Sequence, residues 1–63
     1  MKVKYIGEDN LALDHGQICE VISIERGWYR VYTNIPNDFT GEPEDYLFPP
    51  KAFEIIDDQQ SKQ

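Results

Sequence analysis

Apolar and polar residues alternate along most of this chain with a period of two, the signature of half-buried strands. Lys2-Val3-Lys4-Tyr5-Ile6 predicts a short strand with Val3 and Tyr5 on one face. Residues 7–10 (GEDN) have turn composition, and 11–17 (LALDHGQ) begin apolar and stop at Gly16. ICEVISIE at 18–25 is the strongest strand pattern. Glu25-Arg26-Gly27 is a tight connection whose glycine is available for positive φ. WYRVYT at 28–33 returns as the next strand, and 34–43 change to the Asn, Pro, Asp, Thr, Gly and Glu of a loop. Extended structure resumes at Glu44–Phe48 until Pro49-Pro50, which cannot donate to a ladder, ends it. One tight helical turn is expected at Pro50–Ala52, then a last strand at 53–56. No apolar set recurs at helical spacing over three turns, and β-branched and aromatic residues dominate the periodic segments. The prediction is an all-β fold of five short strands, either a small barrel or two orthogonally packed sheets.

Size and charge narrow the functional classes. A chain of 63 residues is one domain near the lower limit for independent folding, and its single cysteine provides no internal disulfide. Eight aromatics supply a core over residues 1–56, while 57–63 (DDQQSKQ) hold no apolar residue and are expected to be a flexible tail. Twelve acidic residues against six basic ones give a formal charge of −6. The six cations form no run, so a nucleic-acid ligand and an anionic membrane surface are both disfavoured. No segment reaches signal-peptide or transmembrane length, and an unpaired cysteine suits a reducing compartment, so a cytoplasmic monomer is expected.

Particular segments resemble a known architecture. Leu13-Asp14-His15-Gly16, Gly27-Trp28-Tyr29-Arg30-Val31 and Leu47-Phe48-Pro49 are similar, in that order, to three elements of the Src-homology-3-like barrel. These are the segment before its second strand, its tandem-aromatic strand, and the Leu-Phe-Pro element before its helical turn. The resemblance spans about residues 2–56. More narrowly, LAL, G-x-x-x-E-V-x-S-I, GWYR and EDYLFPP together resemble an uncharacterised family of short bacterial and phage proteins. The resemblance implies a five-stranded SH3-like barrel with one helical turn before the last strand. It also implies that Val3, Cys19, Val21, Val31, Phe48 and Phe53 face inward, with Trp28 on the surface near Pro49. It brings no activity, because this architecture hosts many unrelated roles.

In peptide-binding members of that superfamily, the tandem-aromatic Trp, the Pro and further aromatics form a groove for polyproline II ligands. Trp28 and Pro49 match that groove. The first strand keeps only Tyr5, Ala52 stands where a ligand-contacting Tyr is usual, and the loop after the first strand is short. A proline-rich ligand would therefore meet half a wall, although Glu8, Asp9, Glu25 and Asp45 could attract a basic peptide. A cluster of Tyr5, Trp28, Pro49 and Pro50 on one surface would form an anchor for a protein or peptide partner. The bland alternative is that these aromatics cover a tiny core.

Signals for chemistry are weak. His15 has no second histidine and Cys19 no activating neighbour, so neither a metal site nor a nucleophile is expected. Glu42, Glu44 and Asp45 flank Pro43 on a solvated loop, without the spacing of a calcium loop or the shelter that acid–base work needs. No phosphate cradle or nucleophile elbow occurs. The chain is read as non-catalytic and without a cofactor: a small protein-binding module using Tyr5, Trp28, Pro49 and Pro50. The alternative is an acidic decoy or inhibitor of a nucleic-acid-handling protein, which rising salt would release whereas an apolar contact would persist.

Overall fold

The computed structural model describes residues 1–57, and their architecture is all-β. Five strands form one antiparallel sheet: β1 (Lys2–Tyr5), β2 (Ile18–Glu25), β3 (Trp28–Pro36), β4 (Pro43–Phe48) and β5 (Phe53–Asp57). Their order is β4-β3-β2-β1-β5. The helical turn predicted at Pro50–Ala52 is present as a single 3-10 turn, and no α-helix occurs among the described residues. The end strands β4 and β5 do not pair with each other, so the sheet is not closed. The last strand includes Asp57, one residue into the segment expected as a tail; 58–63 lie outside the described residues.

Strand β2 is shared between two halves of the sheet. Its first residues pair with β1, Val3 facing Cys19 and Lys4 facing Ile18. Its later residues pair with β3, from Val21 opposite Val31 to Glu25 opposite Trp28. The core lies between the halves. Val3, Tyr5, Leu13, Cys19, Val31 and Phe53 are buried, and Val21, Tyr29 and Phe48 pack against them. Phe53 is the centre of an aromatic cluster. Its ring lies 5.8 Å from Tyr5 and 5.9 Å from both Tyr29 and Phe48, with the Tyr5 and Phe48 contacts edge-on.

The β2–β3 hairpin turns through Arg26 (φ 55°) and Gly27 (φ 82°). Positive φ at both central residues matches the twist of the flanking strands, but an arginine adopts it at some steric cost. Between Val21 and Ser23 the register slips by one residue, because β2 advances two positions while β3 advances one. This bulge carries Ile22 as the extra residue and reverses which side chains face outward beyond it. Val21 opposes Val31 over the core, yet Ser23 and Glu25 oppose Arg30 and Trp28 on the outer face.

The segment 34–43, expected as loop throughout, is strand at both ends, with Pro36 opposite Pro43. Beyond Tyr32 the β3–β4 ladder shifts register, and two prolines that donate nothing can close its end. The remaining loop is organised by Asn37, whose Oδ1 accepts the backbone N–H groups of Phe39 and Thr40 at 2.8 and 3.0 Å. Its backbone N–H donates to the Glu42 carbonyl at 2.7 Å, and Gly41 returns a bond to the Asn37 carbonyl at 2.9 Å.

Candidate binding surface

Tyr5 does not belong to the surface cluster expected for it. It is 7% exposed, with its ring against Phe53. Its hydroxyl donates to the Glu8 carbonyl at 2.8 Å and accepts from Asn10 Nδ2 at 3.0 Å. The reason is local: β1 alternates strictly, so Tyr5 shares the inward face with Val3. Gly7 passes so close that a Cβ there would lie 2.5 Å from the Tyr5 hydroxyl oxygen.

Trp28, Pro49 and Pro50 remain. Trp28 is 45% exposed at the start of β3. The β3–β4 register sets Tyr29 opposite Phe48, so the next step places Trp28 across from Pro49. Pro49 is half-buried, and Pro50 is exposed at the first position of the 3-10 turn. Three of the four expected residues therefore fall at one end of the β3–β4 ribbon, and the fourth supports the core beneath.

The outer face contains more than was expected of it. Trp28, Arg30 and Tyr32 alternate with the inward residues Tyr29, Val31 and Thr33, so all three project outward. Leu47 lies opposite Arg30 and Asp45 opposite Tyr32. Arg30 is clamped between carboxylates from both neighbouring strands. Its Nε and Nη2 donate to Glu25 Oε2 and Oε1 at 2.7 and 2.9 Å, a two-pronged contact, and Nη1 donates to Asp45 Oδ2 at 3.1 Å. The Ser23 hydroxyl donates to Glu25 Oε2 at 2.7 Å. Hydrogen bonds from Arg30 and then Ser23 hold the Glu25 carboxyl down to about 2, well below the usual range, and the bonds to Glu25 and then Asp45 raise the Arg30 guanidinium. The clamp sets one guanidinium against two carboxylates, and it shares the outer face with Trp28, Tyr32 and Leu47.

No bulge is visible in ICEVISIE, so simple alternation from Cys19 and Val21 would turn Glu25 toward the core. The one available signal was compositional, since a buried Glu25 would need a partner and Arg30 stands five residues away across a tight turn.

The residues weighed for chemistry are dispersed. His15 is exposed, with Nδ1 2.9 Å from the Gly7 carbonyl oxygen. Cys19 is buried, and burial pushes its thiol pKa up, away from the reactive thiolate. Among the described residues no three or more His, Cys, Asp or Glu side chains converge as a metal site would require. No helix among them is long and apolar enough to cross a membrane. Comparisons with protein-family models, curated proteins and solved structures find no match to this chain.

Proposed function

We propose that this chain is a small, non-catalytic protein-binding module whose contact surface is the outer face around Trp28, Pro49 and Pro50. The observation that carries this reading is Trp28 itself. A large amphipathic ring stands half in water, opposite a proline, beside an arginine whose rotamer is locked by two carboxylates. Such pre-ordered aromatic and guanidinium groups lose little conformational entropy on binding and are the usual anchors of interfaces. The SH3-like barrel is part of the same reading. The strand order β4-β3-β2-β1-β5 and a 3-10 turn between the two end strands support it. So is a reducing, cytoplasmic setting, which the free buried thiol of Cys19 favours.

The test is quantitative capture from lysate with wild type and Trp28→Ala, both shown to be folded by circular dichroism. A partner of the outer face is lost with Trp28→Ala and survives raised salt. A partner retained equally by Trp28→Ala refutes the assignment, and one lost with salt alone favours the acidic-decoy alternative.

A further inference from the structure

We propose a second docking surface, independent of the Trp28 face: the end of the molecule where the β1–β2 loop packs on the end of β3 beside the β3–β4 loop, which takes a cationic, apolar-bearing peptide segment of a protein partner.

Two side chains draw attention to this end. Leu11 is 89% exposed and Phe39 is 95% exposed, the two largest exposures among the large apolar residues described. Neither projects from a slack loop. Asn10 Oδ1 accepts the N–H groups of Ala12 and Leu13 at 2.8 and 2.9 Å, and Leu13 is fully buried beneath. Asn37 holds the Phe39 turn in the same manner. The core therefore anchors a loop that pushes its neighbouring leucine into water.

The β1–β2 loop meets the end of β3, where the β3–β4 loop begins, through Asn34. Its backbone N–H donates to the Ala12 carbonyl at 2.8 Å, and its side-chain amide exchanges two hydrogen bonds with Gln17 at 3.0 and 3.1 Å. Beside that junction lies a shallow open groove of about 250 Å³, lined by Thr33, Asn34, Pro36, Gly41 and Pro43. Leu11 precedes Ala12, whose carbonyl accepts from the groove residue Asn34, and Phe39 stands on the turn between the groove residues Pro36 and Gly41. A preformed groove beside two exposed apolar side chains is a docking arrangement rather than scattered surface hydrophobes.

Charge selects the occupant. No Lys or Arg occurs between Lys4 and Arg26, or between Arg30 and Lys51. The two loops contribute Glu8, Asp9, Asp14, Asp38 and Glu42, and none of these makes an ion pair among the described residues. A second copy of the chain would press like charges together, and an anionic membrane would repel them. A segment with lysines or arginines flanking apolar residues meets both the potential and the groove.

The experiment is an amide-resolved NMR titration of the full chain with a short synthetic peptide alternating lysine with leucine and phenylalanine. A lysine–glycine peptide of equal charge and anionic phospholipid vesicles form the other arms. The expected result is shifts at Ala12, Asn34 and residues 38–42. Phe39→Ser and Leu11→Ser should each weaken binding by at least about fivefold. Ile22→Ser, which removes an exposed apolar group elsewhere, should leave it unchanged. Both loop variants alter exposed side chains, and an unchanged circular dichroism melt establishes that they fold. Equal binding of the lysine–glycine peptide would reduce the surface to charge alone and overturn the proposal. So would shifts centred on Trp28, preferential binding to vesicles, or a concentration-dependent dimer that shifts the same amides.

Discussion

Phe53→Ala removes the side chain on which the two halves of the sheet meet. Phe53 is 7% exposed and touches rings from β1, β3 and β4, so no single neighbour can move to fill the void. Truncating a buried phenylalanine costs about 3–5 kcal/mol, lost transfer energy plus an unrelaxed cavity. At about 0.05–0.15 kcal/mol per residue, a domain of this size has a total stability of roughly 3–9 kcal/mol. The variant should therefore sit near its unfolding midpoint without denaturant. With a urea dependence of about 1 kcal/mol per molar, the midpoint should fall by about 3 M or more. Far-UV circular dichroism is the suitable readout, because the half-exposed Trp28 ring reports folding poorly. Phe53→Leu, which keeps most of the volume, should recover much of the loss. A Phe53→Ala domain destabilised by less than about 1.5 kcal/mol would refute the aromatic cluster as the core.

Gly7→Ala should cost about 1–3 kcal/mol by chemical denaturation, because its Cβ collides with a buried Tyr5 ring pinned by two hydrogen bonds; a neutral substitution would mean that the ring is free to shift. Arg26→Asn should raise stability by about 0.5–1 kcal/mol, since asparagine tolerates the positive φ that arginine adopts there, and a lowered melting temperature would count against the turn geometry. The Glu25 carboxyl should titrate near 2 in a carbon-detected NMR experiment, and Arg30→Gln should raise it, the Ser23 hydrogen bond keeping part of the depression. Because the folded value is depressed, the clamp's stabilisation is present above the unfolded glutamate value of about 4.5 and is lost as pH falls toward 2. Salt should weaken it, as both side chains are partly exposed. Trp28→Ala should cost less than about 1.5 kcal/mol, and native Trp28 fluorescence should be red-shifted; a blue-shifted spectrum with a large folding cost would place the ring in the core.

The strands were legible because alternation and turn residues agree along most of the chain. The inward set implied by the resemblance agrees with the packing: Val3, Cys19, Val31 and Phe53 are buried, and Val21 and Phe48 partly so. Tyr5 shows the limit. Its alternation with Val3 pointed inward while the resemblance suggested a groove wall, and packing decided for the core. In LAL, period and composition treat Leu11 and Leu13 alike, yet one is fully buried and the other almost fully exposed. The two leucines are divided by a local turn in which Asn10 Oδ1 accepts the N–H groups of Ala12 and Leu13, which the apolar pattern does not register. The Glu25–Arg30–Asp45 clamp stayed hidden behind a bulge, because one inserted residue exchanges inside for outside without altering the local pattern.

The unpaired ends of the sheet have a colloidal consequence. An exposed strand edge invites another, and the usual protection is charge. Here β4 carries Glu44 and Asp45, β5 carries Glu54 and Asp57, and neither strand holds a cation. Asp45 is held by Arg30 and Glu54 lies 4.0 Å from Lys4, so the barrier to edge-to-edge approach is the net charge of −6 at neutral pH. That barrier is removed by protons rather than by mutation. As the solution approaches the isoelectric point near 4.4, net repulsion vanishes while the sheet still holds its strands in place. Solubility and fold should then part company: turbidity and growth in hydrodynamic radius precede any loss of β-signal, and returning to neutral pH disperses the assemblies.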